Sequence, residues 1–126
     1  MRGYVSKQII IIDDDKLILK MAEDILSEAG YSVEVADSNI YSNHLIYGPR
    51  KPDLIVVDVM MPLMTGDSKV KALKRREKSS DIPVLLTSSL EEEKLKKLTD
   101  ESGADGYVCK PFTQKSLLEA VRSHLN

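Results

Sequence analysis

The sequence predicts an α/β protein in which a five-stranded parallel sheet carries helices on both faces. Three observations support this fold class. Short apolar runs, such as residues 9–12 and 54–57, alternate along the chain with amphipathic segments of helical period. These runs are continuously apolar, which is typical of strands covered on both faces. They end abruptly on polar residues, as happens where parallel strands reach the ligand-binding edge of such a sheet.

The first two strands and the helix between them come from the clearest patterns. Residues 7–12 are expected to form the first strand. A helix over 16–29 follows, because its apolar residues recur at intervals of three and four: Ile18, Met21, Ile25 and Ala29. Gly30 can form the C-terminal cap of this helix. The second strand, over 31–36, alternates polar and apolar residues.

Residues 37–51 give the weakest pattern, since their serines and asparagines are mediocre helix formers. Two parallel strands nevertheless need a crossover connection, so we expect a short helix over 40–47. The third strand lies at 53–57, and a loop runs from it to Gly66. A strongly basic helix then spans 68–78. Its positive charges are typical of a solvated face, although a docking role is an alternative.

The last third of the chain predicts two strands and two helices. The strands lie at 82–86 and 106–109. The helix between them covers 91–102 and is supported by pairs of opposite charge at i,i+4, namely Glu92–Lys96 and Glu93–Lys97. An amphipathic helix over 114–125 ends the chain and is expected to bury Leu117, Leu118 and Val121.

Composition and charge narrow the class of protein. The chain has 126 residues, which suggests one domain, and 42% of them are apolar, which suffices for a core. The formal net charge of −2 gives no electrostatic reason to expect binding to nucleic acid or to an anionic membrane. No apolar run approaches the roughly 18 residues of a membrane span, and residues 1–7 lack the apolar part of a secretion signal. With a single cysteine, we expect a cytoplasmic protein.

The order of the strands brings acidic residues together. Alternating strands and helices force parallel pairing with right-handed crossovers. We expect the flavodoxin-like order 2-1-3-4-5, which places the first and third strands side by side, about 4.8 Å apart. Asp13 and Asp14 follow the first strand and Asp58 follows the third, so their carboxylates become neighbours. They can all stay ionised only around a cation, and a few oxygen ligands favour Mg²⁺.

Two further strand ends add polar groups to this edge. The fourth strand runs into Thr87 and Ser88, and the fifth runs into Lys110. Carboxylates, a hydroxyl and an ammonium around one crevice are the chemistry of a divalent cation and a phosphoryl group.

With these residues at these positions, the chain resembles the receiver domain of response regulators, of the single-domain chemotaxis type, over essentially its whole length. The motifs are Asp13-Asp14, Asp58 with Met61-Pro62 and Gly66 behind it, Ser88-Ser89, and Lys110-Pro111-Phe112. Each motif alone is weak, but their order and separations are specific. There are 45 residues from Asp13 to Asp58, 30 from Asp58 to Ser88, and 22 from Ser88 to Lys110.

The resemblance implies which residues bind the cation and accept the phosphoryl group. Asp58 would be the phosphoacceptor, which forms an aspartyl phosphate. Asp13 and Asp14 would hold Mg²⁺, and Asp58 with the backbone carbonyl of Met60 would complete the protein ligands. A carboxylate is a competent nucleophile toward phosphorus, which agrees with this assignment.

The resemblance also implies how phosphorylation is read. Ser88 would hydrogen-bond one phosphoryl oxygen and Lys110 would pair with another. Successive strand residues face opposite ways, so only one of Thr87 and Ser88 can be the switch hydroxyl, and the separations favour Ser88. Tyr107 lies where the family has an aromatic residue that changes rotamer on activation. The peptide bond between Lys110 and Pro111 would be cis, as in the family.

The implied function is a signalling switch and not a turnover enzyme. A sensor histidine kinase or phosphotransfer protein would supply the phosphoryl group. Phosphorylation would reshape the surface formed by the fourth helix, fifth strand and fifth helix for a downstream protein. A homodimer through that surface on phosphorylation is left open. We expect a single receiver domain over residues 1–126, without an output domain in this chain.

Two other classes of function remain as alternatives. A pseudo-receiver would bind partners independently of phosphorylation, but such proteins usually lack part of the acidic site, which is complete here. A haloacid-dehalogenase-like phosphatase needs a further acidic pair after its lysine, whereas only Glu119 follows Lys110, and it would leave Asp58 without a role. No G-x-G-x-x-G follows the first strand, which disfavours dinucleotide binding.

Several residues have simpler structural interpretations. Asp15 is expected to cap the first helix or to be solvated. Cys109 is expected to be a small core residue and not a redox centre. His44 and His124 are expected to be exposed and non-catalytic.

Overall fold

Strands and helices alternate along the chain in the predicted order. The computed structural model describes residues 6–125; the remainder of the predicted domain, residues 1–5 and 126, lies outside the described residues. The strands are β1 (Gln8–Ile12), β2 (Ser32–Ala36), β3 (Leu54–Asp58), β4 (Val84–Ser88) and β5 (Gly106–Cys109). The helices are α1 (Lys16–Glu28), α2 (Asn39–Ile46), α3 (Gly66–Arg75), α4 (Glu92–Ser102) and α5 (Gln114–Leu125). The predicted boundaries are therefore within three residues of the observed ones.

The sheet has five parallel strands in the order β2-β1-β3-β4-β5, which confirms the predicted topology. Ile12 pairs with Val57 across β1 and β3, and Asp58 pairs with Thr87 across β3 and β4. The carboxyl ends of the strands therefore reach the same edge. None of the helices described within residues 6–125 combines the length and the hydropathy of a membrane span.

The continuous apolar runs of the strands supply two cores, one on each face of the sheet. Alternate residues of β1 point to opposite faces, so Ile10 and Ile12 join one core while Ile9 and Ile11 join the other. The first core is closed by the buried residues Ile46 of α2, Val70 and Leu73 of α3 and Leu95 of α4. The second is closed by α1 and by Leu117, Leu118 and Val121 of α5, as predicted for α5.

The buried face of α1 differs from the expected one. The residues in full contact with the sheet are Leu19, Ala22 and Leu26, whereas Met21 is 37% exposed and the others of the expected stripe are half-buried. The reason is that α1 carries two adjacent apolar stripes, and periodicity alone does not show which one faces the sheet. Asp15 caps the helix, because its carboxylate accepts the N–H of Leu17 at 2.9 Å.

Two expectations about charged helix surfaces are wrong. Lys69 of the basic helix is not solvated but 4% exposed, because its position on α3 faces the interior beside Val70. Among the described residues, neither i,i+4 pair of α4 forms an ion pair, since exposed side chains gain little from holding one geometry. Cys109 is half-buried and packs against the core, in agreement with its expected role.

Gly66 is required because the backbone approaches it closely. It is the first residue of α3, and its N–H donates to the carbonyl of Val59 at 2.9 Å. A Cβ atom at this position would overlap the backbone carbonyl of Asp58. A side chain here would therefore push α3 away from the end of β3.

We predict that Gly66→Ala lowers the free energy of unfolding by about 1–3 kcal/mol, the usual cost of forcing extra atoms into a packed site. Denaturant unfolding monitored by circular dichroism measures the change. Lys71→Ala, an exposed substitution further along the same helix, is the matched control and is expected to stay within about 0.5 kcal/mol of the wild type. Equal stability of the two variants would show that this close approach imposes no constraint.

Candidate functional site

The predicted acidic residues meet at the carboxyl edge of the sheet. Asp13 directly follows β1, and Asp58 is the last residue of β3. Each of Asp13, Asp14 and Asp58 offers one carboxylate oxygen, and these three oxygens lie within 4.8 Å of one another. Asp13 and Asp58 are buried and Asp14 is exposed, so the cluster opens to solvent on one side. Oxygen donors in this number and spacing fit a Mg²⁺ ion that keeps several of its waters.

The Lys110 ammonium donates hydrogen bonds to both buried carboxylates, those of Asp13 and Asp58. Its Nζ donates to Asp13 Oδ2 at 2.6 Å and to Asp58 Oδ1 at 3.1 Å. Lys110 follows β5, which is two strands away from β3, so its long side chain is needed to reach the acids. One ammonium against three carboxylates leaves the cluster with an excess of negative charge, which favours a cation.

Burial and the neighbouring charges perturb the titration of this pair. Burial raises the pKa of the Asp58 carboxyl, and repulsion from Asp13 adds to the rise, while hydrogen bonds from Lys110 and the Met60 N–H oppose it. Burial also acts to lower the pKa of Lys110, but its hydrogen bonds to Asp13 and Asp58 outweigh burial and raise that pKa overall. The ammonium therefore stays charged, and ionised Asp58 lacks full compensation.

The backbone fixes the orientation of Asp13. The Asp15 N–H donates to Asp13 Oδ1 at 2.9 Å, and the Asp13 N–H donates to the carbonyl of Ala36 at the end of β2 at 3.1 Å. Both oxygens of the Asp13 carboxylate thus have donors, one from the loop and one from Lys110. The direct contact between Lys110 and Asp13 was not predicted, because the sequence gives no measure of how far the lysine reaches across the sheet.

Thr87 and Ser88 both lie near Asp58 and are both buried. Thr87 is the ladder partner of Asp58. Ser88 is one residue further along, where its carbonyl accepts the Lys110 N–H at 2.8 Å and its Oγ accepts the Leu90 N–H at 3.1 Å. Neither hydroxyl contacts a carboxylate of the cluster, so the choice of Ser88 as the switch hydroxyl stays a prediction.

Met60 and Tyr107 take different positions relative to the acidic cluster. Met60, two residues past Asp58, has a side chain that is mostly exposed. Tyr107 packs its ring against the core, and its hydroxyl donates to Glu92 Oε2 of α4 at 2.9 Å, a contact that raises the phenol pKa. It therefore belongs to the surface of α4 and β5 and not to the acidic cluster.

Three smaller expectations also have structural outcomes. The Lys110–Pro111 peptide bond is cis, as the resemblance implies. His44 is exposed, as expected. His124 is half-buried and not exposed, since its Nδ1 lies 2.8 Å from the carbonyl of Ala120 and its Nε2 lies 3.0 Å from the carbonyl of Asp105.

Known proteins match this chain along nearly its whole length. A family model described as the response regulator receiver domain matches residues 9–122. The phosphate regulon transcriptional regulatory protein PhoB of Pseudomonas aeruginosa is 37% identical over 121 residues, which are 96% of this chain and 52% of that protein. The chemotaxis protein CheY of Halobacterium salinarum is 30% identical over 117 residues, which are 93% of this chain and 95% of that protein. The chain thus spans about half of the transcriptional regulator.

Solved structures agree with the sequence matches. The chemotaxis response regulator CheY4 of Vibrio cholerae superposes with a TM-score of 0.88 at 29% identity, covering 96% of this chain and 100% of that one. A putative response regulator from Chloroflexus aurantiacus superposes with a TM-score of 0.90 at 29% identity, covering 96% of this chain and 98% of that one. Fold, motifs and family model agree, and the chain belongs to the response regulator receiver domain family.

Proposed function

We propose that this protein is a phosphoacceptor switch in which Asp58 accepts a phosphoryl group from a histidine kinase or phosphotransfer protein. Receiver domains are signalling modules of two-component systems and not turnover enzymes. The main support for this proposal is that one ammonium, that of Lys110, contacts both Asp13 and Asp58. This contact assembles a nucleophile, a cation ligand and a positive charge at one sheet edge.

The Asp58 carboxylate would be the nucleophile. One of its oxygens forms a bond to phosphorus while the bond from phosphorus to the imidazole nitrogen of the donor breaks, and the electron pair stays with the imidazole. Phosphoryl transfer needs mainly positioning and charge neutralisation. Lys110 already lies against Asp58 and would neutralise a phosphoryl oxygen, while Ser88 would donate a hydrogen bond to another.

Mg²⁺ would be held by Asp13, Asp14, Asp58 and the backbone carbonyl of Met60. Receiver domains generally bind Mg²⁺ at an acidic pocket, and the three clustered carboxylate oxygens fit that ion. When bound, it supplies positive charge to the phosphoryl oxygens. Asp13 orients toward the site because the Asp15 N–H and Lys110 hold its two oxygens.

Phosphorylation would change the surface formed by α4, β5 and α5. The Tyr107 hydroxyl now points to Glu92 on α4, so an inward rotation of the ring would break that hydrogen bond and change the surface. An unidentified downstream protein, or a second phosphorylated copy of this chain, would bind the changed surface. We further propose that residues 1–126 form one receiver domain and act in the cytoplasm, where kinase and target would meet it.

The competing classes fit the site less well. A pseudo-receiver would not need the complete set of Asp13, Asp14, Asp58 and Lys110 that meets here. A haloacid-dehalogenase-like phosphatase belongs to another family and would leave Asp58 unused, although Asp58 is part of the cluster and accepts a hydrogen bond from Lys110.

We predict that the wild-type protein gains the mass of one phosphoryl group when it is incubated with acetyl phosphate and Mg²⁺, and that Asp58→Asn gains none. The amide cannot act as the nucleophile, so the covalent adduct is lost. Intact-mass spectrometry measures both proteins. Asp100→Asn, an exposed aspartate of α4, is the control and is expected to behave as the wild type. An unmodified wild type would favour the pseudo-receiver, and a phosphorylated Asp58→Asn would place the acceptor elsewhere.

We predict that Ser88→Ala slows phosphorylation by acetyl phosphate roughly 10-fold or more, as expected for losing one hydrogen bond to a charged group. The matched variant Thr87→Val removes the neighbouring hydroxyl with little change in shape and is expected to keep the wild-type rate. Timed intact-mass measurements give both rates. The opposite order of effects would assign the switch hydroxyl to Thr87.

A further inference from the structure

Lys69 is a buried lysine that the phosphoryl chemistry does not use. It lies on α3 and is 4% exposed, while Val70 and Leu73 of the same helix belong to the core. Its Nζ donates to Asn43 Oδ1 of α2 at 2.6 Å. The ammonium is therefore enclosed at the contact between α2 and α3, with a neutral amide as its hydrogen-bond partner.

The groups around Lys69 do not compensate its charge. Within residues 6–125 no carboxylate forms an ion pair with it, and the Asp67 carboxylate of its own helix makes none. The titratable residues of α2, Tyr41 and His44, are both exposed, and the buried residues of the neighbouring α4 are uncharged, namely Leu95, Thr99 and Ser102. Burial, together with repulsion from Arg76, lowers the pKa of Lys69 to about 8.

The helix that covers Lys69 is weakly attached at one end and firmly attached at the other. Ile46 is the one large apolar residue of α2 that is fully buried, and the buried Oδ1 of Asn39 in its first turn has no hydrogen-bond donor. At the other end, the Tyr47 hydroxyl shares a hydrogen bond with Ser79 Oγ at 2.9 Å, and the Arg76 guanidinium stacks 4.2 Å from the Tyr47 ring. The C-terminal end of α2 is thus a natural pivot.

We propose that α2 opens about its C-terminal end to hydrate the Lys69 ammonium and closes when this amine loses its proton. An enclosed charge with only a neutral partner is costly, and water relieves that cost in the open state. Opening would begin at the N-terminal end of α2, three residues after Ala36. The carbonyl of Ala36 accepts the Asp13 N–H, so the moving segment lies next to the acidic cluster.

The direction of the pH dependence follows from the two protonation states. In the open state the amine is solvated and its pKa returns toward the ordinary value of 10.5, whereas in the closed state it is about 8. The open state therefore binds more protons between these values, so rising pH favours closure. Between pH 7 and 9 the closed-to-open ratio is expected to rise about 10-fold.

Hydrogen exchange tests this proposal in the intact protein. Protection factors of the amides of residues 42–46, corrected for the intrinsic pH dependence of exchange, are expected to rise about 10-fold from pH 7 to 9. In Lys69→Met, which keeps most of the length of the side chain without the charge, we expect higher protection at pH 7 and little change with pH. Lys71→Met, an exposed lysine on the same helix, is the control and should retain the wild-type rise.

A second measurement keeps the proposal falsifiable without any substitution. The side-chain resonances of Lys69 in the wild-type protein are expected to titrate near pH 8. Titration above pH 10, or a rise in α2 protection that persists unchanged in Lys69→Met, would overturn the proposal.

Discussion

The contact of Lys110 with both Asp13 and Asp58 is the interaction on which the site depends. The strand order β2-β1-β3-β4-β5 places the ends of β1 and β3 side by side, although 45 residues separate Asp13 from Asp58 in the chain. The buried carboxylates of Asp13 and Asp58 have oxygens within 4.8 Å of each other and repel each other. Burial raises the pKa of Asp58, and this repulsion adds to the rise. The single ammonium of Lys110 compensates the two carboxylates only in part. The remaining negative charge favours a cation at this edge, and the proposed phosphoryl transfer depends on that cation.

Much of the fold could be predicted because local patterns and topology agree. The continuous apolar runs become strands buried on both faces, and the alternation of elements fixes the parallel order. The acidic cluster followed directly, because it depends only on which residues end β1 and β3. These features are set by which segments form strands and by the order in which those strands pair. Errors of two or three residues in the predicted boundaries therefore do not change them.

Other features depended on distances that a sequence does not contain. Two apolar stripes on α1 gave no basis for choosing between Met21 and Ala22 as buried residues. Lys69 belongs to a run of basic residues, and only the position of α2 shows that it is enclosed. The contact of Lys110 with Asp13 depends on how the end of β5 is placed relative to β1. The weakest part of the sequence pattern, residues 37–51, contains α2, and the buried Asn39 oxygen in the first turn of this helix has no hydrogen-bond donor.

The most direct test of the charge argument is the effect of Mg²⁺ on the free energy of unfolding of the wild type and of Asp58→Asn. Without Mg²⁺, we expect Asp58→Asn to be at least as stable as the wild type, because a partly compensated buried carboxylate has been removed. With Mg²⁺ at about 100 times its dissociation constant, the wild type should gain about 2.7 kcal/mol and the variant much less. An equal gain in both proteins, or none in the wild type, would contradict a cation site built on Asp58.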